Sequence, residues 1–228
     1  MIVAGVDQSK TQSGVGILDQ DDPSMMICKS IRCAARRGEG IKPGANDAEY
    51  DGEVAFLFKH ESAKLFRKYS VTHLALEMPI QTKGGGQNHT TSIICGAVAL
   101  SAREMRIPVV YVASASWRSD LGFRFPPRKM ELSDREKIWA LDVLSRFKNG
   151  RPYVPPAQDP ATPGARITLP CDTRKWLKAQ AIDWCIRKGV RISNVDEAEG
   201  ACITFYRWRQ LRLAMRAPRD LFEMRGAA

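Results

Sequence analysis

The sequence has 228 residues, of which 44% are hydrophobic and 26% charged, a composition typical of a globular protein and not of a disordered one. Its formal net charge of +10 is uneven, because residues 1–60 carry seven basic and nine acidic residues whereas residues 61–228 carry 28 and 16. No apolar run is long enough to span a bilayer and the N-terminus lacks the pattern of a secretory signal, so we expect neither a membrane protein nor a secreted one.

The first half of the chain predicts one mixed α/β sheet. Three strand-like segments open it: Met1–Asp7, Gly14–Asp19 and Met25–Arg32. Helical and strand-like segments then alternate: Glu53–Tyr69, His73–Glu77, Thr90–Met105 and Ile107–Val112. The opening meander favours antiparallel pairing, and the later strand–helix–strand units favour parallel pairing. We therefore predict five strands with helices on both faces.

The second half predicts three helices around a proline-rich stretch. Ser133–Phe147 begins with capping-box spacing, Thr173–Lys188 ends at a glycine, and the last helix begins near Asn194 or Val195. Gly150–Pro170 contains six prolines and is expected to be extended. Residues 34–51 are expected to form a mobile loop, and residues 79–88 a glycine-rich loop. We expect residues 1–228 to form one domain, with an insert at 119–170 and a basic tail at 210–228.

Cysteine and histidine are distributed in a way that does not suggest zinc. The six cysteines contain no C-x-x-C pair, and the chain has only three histidines. Without a secretory signal, reduced thiols are the default expectation.

Four acidic residues occupy positions where a carboxylate is expected to be partly buried. Asp7 ends the first strand, Glu77 ends the fourth, and Asp196 and Glu199 share one face at the start of the last helix. Clustered carboxylates are costly unless a cation offsets their charge, and their oxygens suit Mg²⁺ or Mn²⁺. Taken singly, each acid is explained by a turn or a helix N-terminus. Taken with the strand order, the set favours a metal site.

Four segments resemble the RNase H-like superfamily and, within it, the RuvC-type Holliday junction resolvases. They are Ile2–Ser9 with Gly14–Gly16, Leu74–Glu77, Leu177–Ala181 and Asp196–Ala201. A weaker fifth match joins Asn88 and Gly96. In chain order these segments span most of residues 1–205, and the ordered set is more specific than any one motif.

The resemblance implies a function as well as a fold. It implies that Asp7, Glu77, Asp196 and Glu199 hold two Mg²⁺ ions per active site, for which Mn²⁺ would substitute. Lys178 would complete the catalytic set beside the scissile phosphate, although a solvated surface lysine explains it equally well. The implied reaction is hydrolysis of four-way-junction DNA by a homodimer, leaving 5′-phosphate and 3′-hydroxyl ends.

Three departures from the family pattern indicate a divergent or phage-type member. The fourth acid is Glu199 where many relatives have aspartate, and Ala99 stands where an arginine is frequent. The insert at 119–170 is large beside the compact bacterial enzymes. We expect a cytoplasmic, nucleoid-associated protein of a bacterial or phage-infected cell.

Candidate DNA contacts follow the fourth strand. Lys83, Gln87, Asn88 and His89 offer donors to phosphates or base edges in a glycine-rich loop, and Arg118 and Lys178 offer further charge. A flexible surface loop is the simpler alternative for the first four. The aromatic residues that lie between the basic residues of Arg118–Arg128 would stack on unpaired DNA bases. In Phe205–Arg212 an amphipathic helix with buried aromatics is favoured instead.

Three other functions fit parts of the pattern. One is a nuclease of broad branched-DNA or flap specificity, and another is a non-catalytic DNA-binding module. The presence of all four carboxylates argues against the second. An actin-like ATP-binding protein would need a second copy of the sheet domain, and the sequence has no internal repeat.

Overall fold

The computed structural model describes residues 1–9, 12–19, 21–32, 48–79, 88–125, 131–155 and 169–216. Its five strands are β1 (Val3–Asp7), β2 (Gln12–Leu18), β3 (Ile27–Arg32), β4 (His73–Glu77) and β5 (Val109–Val112). Its six α-helices are α1 (Ala48–Lys68), α2 (Asn88–Glu104), α3 (Ser114–Asp120), α4 (Asp134–Asn149), α5 (Thr173–Arg187) and α6 (Val195–Arg216).

All five strands form one mixed sheet, as the sequence predicts, and their order in the sheet is β3-β2-β1-β4-β5. β1 pairs with β2, and β2 with β3, in antiparallel register. β1 pairs with β4, and β4 with β5, in parallel register, with Val6 opposite Leu76. The carboxyl ends of β1, β4 and β5 therefore meet at one edge of the sheet.

Helices cover both faces of the sheet because successive strand residues point to opposite sides. Leu74 and Leu76 of β4 pack into one core with Phe58 of α1 and with residues of α2. Ala75 of β4 packs into the other core with Ile182 of α5 and with residues of α6. A third cluster joins α4 to α5. The expected helices on both faces are thus confirmed.

Helix α4 begins and ends at the capping residues that the sequence indicates. The Ser133 side chain accepts a hydrogen bond from the backbone N–H of Glu136, and the Glu136 side chain accepts one from the Ser133 backbone. Gly150 adopts the left-handed conformation, with φ of 67°, at the C-terminal end. The connection between the antiparallel strands β2 and β3 forms a hairpin and contains a short 3₁₀ turn at Pro23–Met25, which Asp22 caps.

Several boundaries differ from expectation. Helix α3 spans Ser114–Asp120, so the first two residues of the expected insert belong to it. Residues 210–216 continue α6 and are not part of a separate tail. α1 begins at Ala48, within the expected loop at 34–51. Most of that loop, the loop at 79–88, much of the extended stretch at 150–170 and residues 217–228 lie outside the described ranges.

Among the helices of the described ranges, none combines the length and the apolar character that crossing a bilayer requires.

Candidate metal centre

Three of the four acids predicted as metal ligands come together at the carboxyl edge of the sheet. Val3, Gly5 and Asp7 lie on the same side of β1, the side that packs against α6, so Asp7 faces the first turn of that helix. Asp196 and Glu199 lie in that turn. Asp7, Asp196 and Glu199 each offer a carboxylate oxygen, and these oxygens lie within 4.8 Å of one another.

Glu77, the fourth acid, lies beside this group but is held by other partners. Its carboxylate lies near that of Asp7, since its charge raises the pKa of Asp7. Its Oε1 accepts hydrogen bonds from Ser114 Oγ and, at 3.2 Å, from Trp117 Nε1. Arg118 Nη1 lies 3.8 Å from the same oxygen. Glu77 is therefore oriented by α3 at the rim of the acidic group.

Burial and mutual repulsion make the ionised form of these acids costly. Loss of hydration, followed by the charges of Glu199 and Glu77, raises the pKa of Asp7 well above its usual range. Burial and the charge of Glu77 also raise the pKa of Glu199, against the opposing effect of Lys178 and Arg118. A divalent cation would relieve this repulsion. The all-oxygen donor set suits a hard ion such as Mg²⁺ or Mn²⁺.

Two basic side chains are packed against the acids. Lys178 Nζ lies 3.2 Å from Asp196 Oδ1 and 3.8 Å from Glu199 Oε2. Arg118 Nη2 donates a 2.7 Å hydrogen bond to Glu199 Oε1. The sequence predicts that both residues contact DNA phosphate. In the structure, both lie next to the acids.

Glycines let α6 approach the sheet closely enough to deliver its acids. A Cβ atom added to Gly14 would lie 1.8 Å from the backbone oxygen of Asp196. One added to Gly5 would lie 2.4 Å from the backbone nitrogen of Thr204. A Cβ atom added to Gly200 would likewise lie 2.6 Å from the backbone oxygen of Gly14 in β2. Bare backbone at these positions therefore fixes the distance between α6 and Asp7.

A polar network that the sequence does not reveal anchors the start of α6. Glu197 is buried and points away from the metal centre. Its carboxylate accepts hydrogen bonds from Ser30 Oγ at 2.6 Å and from the Ser193 backbone N–H at 2.7 Å. The Asn194 side chain accepts a hydrogen bond from the Glu197 backbone N–H at 2.9 Å, which caps the helix. This network holds Asp196 in place from the opposite side of the turn.

The contacts of Ser114 and Trp117 with Glu77 are not predicted from the sequence, although their position after β5 suggests that they lie near the acids. They follow β5, whose carboxyl end lies at the same edge as those of β1 and β4. Polar side chains just after such a strand are expected near the site. The spacing that brings Ser114 and Trp117 to one carboxylate depends on α3, which the sequence pattern does not indicate.

The predicted DNA contacts of the glycine-rich loop are described only in part. Lys83 and Gln87 lie outside the described residues, and Asn88 is the first residue of α2. His89 is exposed, and its Nε2 lies 3.2 Å from Asp51 Oδ2. Their contacts with DNA stay predictions.

The aromatic residues expected to stack on DNA bases differ in their burial. Phe123 is buried and packs edge-on against Trp117, with ring centroids 5.5 Å apart, so its expected role in base stacking is wrong. Phe125 is 44% exposed. In α6, Trp208 is buried and Phe205 packs on Trp184, which confirms the amphipathic helix with aromatics in the core.

No protein-family model matches the sequence, and no curated protein sequence matches it. Solved structures do resemble it. The structure of Thermus thermophilus RuvC in complex with Holliday junction substrate gives a TM-score of 0.52 at 12% identity, covering 93% of this chain and 96% of that one. Thermus thermophilus RuvC gives 0.48 at 13% identity, with coverage of 94% and 97%. The yeast mitochondrial Holliday junction resolvase Ydc2 gives 0.47 at 12% identity, with coverage of 97% and 83%.

Identities this low compare folds and leave function to be argued from the site. The first of these likenesses extends over nearly the whole of both chains. The mixed five-stranded sheet, with helices on both faces, agrees with the architecture expected from the sequence. The chain therefore has the RNase H-like fold of RuvC.

Proposed function

We propose that this protein is a structure-selective DNA endonuclease that resolves four-way junctions by metal-dependent hydrolysis of phosphodiester bonds. The observation that carries the proposal is the convergence of Asp7, Asp196 and Glu199, with Glu77 beside them, at the carboxyl edge of an RNase H-like sheet. The proposed products are 5′-phosphate and 3′-hydroxyl ends. The RuvC structure with a similar fold contains a Holliday junction substrate, which favours branched DNA as the ligand.

The acids would hold Mg²⁺, or Mn²⁺ in its place. Asp7, Asp196 and Glu199 supply one set of oxygens, and Asp7 with Glu77 supplies a second, in accord with the two ions that the family resemblance implies. Bound there, such ions would supply a more acidic water and charge stabilisation for the leaving oxygen. Glu77 is kept facing Asp7 by its hydrogen bonds to Ser114 and Trp117.

Lys178 and Arg118 would bind and orient the DNA phosphate. Both sit against the acids while remaining partly exposed, with 24% and 12% of their side chains accessible. A phosphate that enters beside them would gain charge-assisted hydrogen bonds on the side away from the carboxylates. The excess of basic residues within 61–228 would add longer-range attraction to the DNA backbone.

We also propose that the active form is a homodimer, because a four-way junction presents two opposed strands to be cut. The exposed face of α2, which includes Leu100, is the proposed contact between subunits. We expect light scattering at micromolar concentration with junction DNA to give, after the mass of the bound DNA is subtracted, twice the chain mass of 25.5 kDa. A monomer mass under these conditions would reject the dimer.

A cleavage assay tests the proposed activity directly. A labelled mobile four-way junction incubated with the protein is expected to be cut in Mg²⁺ and left intact in EDTA, since the acids need the ion. Flap, fork and linear duplex DNA serve as parallel substrates. Equal cutting of all branched forms would indicate broad branched-DNA specificity instead, and binding without any cutting would indicate a non-catalytic module.

A further inference from the structure

Arg118 is fixed inside the metal centre by contacts on two sides. Its side chain is 12% exposed, and its guanidinium stacks on the Trp117 ring at 4.3 Å. Nη2 donates to Glu199 at 2.7 Å while Nη1 lies 3.8 Å from Glu77, so the guanidinium spans these two acids. Trp117 is itself buried and donates to Glu77, so the stacking surface cannot easily move.

The charges of the centre can be counted from these contacts. With all four carboxyls ionised, as they would be around a divalent ion, Asp7, Glu77, Asp196 and Glu199 contribute −4. Arg118 and Lys178 contribute +2, which leaves −2. Glu197 does not enter the count, because its oxygens face Ser30 and Ser193 at the positive end of α6.

We propose that Arg118 is a built-in counter-cation that limits the DNA-free metal centre to one divalent ion. One such ion neutralises a net charge of −2, and a second would leave the buried site with a net charge of +2, against the repulsion of the first ion and of Arg118. Arginine suits this role because its guanidinium stays protonated at any physiological pH. A DNA phosphate adds negative charge and would then admit the second ion.

This inference rests on the proposed function, since it concerns the same acids, and it adds that Arg118 determines the number of ions bound before DNA arrives. The role is distinct from a phosphate contact, which would leave metal binding by the free protein unchanged.

Counting bound Mn²⁺ tests the inference without any cleavage. The full-length protein without DNA is titrated with Mn²⁺, and the free ion is followed by its EPR signal. Wild type is expected to bind one ion per chain. Arg118→Gln is expected to bind its first ion at least about tenfold more tightly and to bind a second in the same titration. Arg118→Lys keeps the charge and is expected to bind one.

Arg209→Gln provides the matched control. Arg209 lies on α6, ten residues beyond Glu199 and about 15 Å from it by helix rise. It forms a 2.8 Å ion pair with Asp120. Its loss should leave the count at one. Two ions bound by wild type, or an unchanged titration in Arg118→Gln, would overturn the inference while leaving the proposed function standing. No bound ion in wild type would overturn both, and a wild-type count of two ions would overturn the inference even if a variant does not fold.

Discussion

Asp7→Asn is expected to abolish cleavage of four-way-junction DNA while leaving its binding nearly unchanged. Asp7 shares the acidic group with Asp196 and Glu199, and the charge of Glu77 also acts on it, so its loss removes a shared ligand from any ion held there. Charge stabilisation by such an ion is worth several kcal/mol, which corresponds to a rate loss of about 10³-fold or more. DNA affinity should persist, because it depends chiefly on basic side chains.

The measurement is the single-turnover rate in Mg²⁺ together with the Kd for the junction in Ca²⁺. Asp183→Asn is the matched control, since Asp183 pairs with Arg187 on α5 and has no contact with the acids. The control is expected to cleave like wild type. A rate for Asp7→Asn within tenfold of wild type would remove the proposed mechanism.

The same variant should also change stability in a direction that the pKa of Asp7 determines. Burial and neighbouring carboxylates raise that pKa in the folded protein, so between the ordinary value of about 4 and the raised value the folded state binds more protons than the unfolded one. Wild-type stability in EDTA therefore loses this contribution as pH rises through that window. Asp7→Asn does not, and urea unfolding should show it to be the more stable protein at pH 8 but not at pH 4.

Much of the sheet and of the acidic group was predictable because the relevant signals are local. His73–Glu77 is an apolar run closed by a carboxylate, and its predicted bounds match β4. The parallel pairing of β1 and β4 then places Asp7 and Glu77 at one edge. The spacing of Asp196 and Glu199 places both acids on one side of α6. Period and strand order were sufficient to identify which acids would meet.

The surroundings of the acids depend on contacts between distant segments, and there the sequence was insufficient. Helix α3 has seven residues, a single large apolar side chain at Trp117 and no side-chain cap from Ala113, so no helical period is visible. The positions of Ser114 and Arg118 follow from that helix. The anchoring of Glu197 by Ser30 joins residues 167 positions apart, which no local pattern indicates.

Gly14→Ala is expected to displace α6 and so to separate the acids without changing any of them. The added Cβ would lie 1.8 Å from the backbone oxygen of Asp196 and 2.1 Å from its carbonyl carbon. Neither atom can rotate away as a side chain would, so the start of α6 must move away from β2. Such overpacking costs about 3 kcal/mol, at the upper end of the usual range. Asp196 and Glu199 would then lie farther from Asp7, and Mn²⁺ affinity should fall by at least about tenfold.

Gly52→Ala separates this effect from a general intolerance of alanine. Gly52 lies in α1, and a Cβ there would meet no atom within 4 Å, so the change should stabilise the helix by up to about 1 kcal/mol. Urea unfolding and Mn²⁺ titration of both variants give the comparison. If Gly14→Ala kept wild-type stability and metal affinity, close contact between α6 and β2 would not be what holds the acids together, and the glycines of β2 would need another explanation.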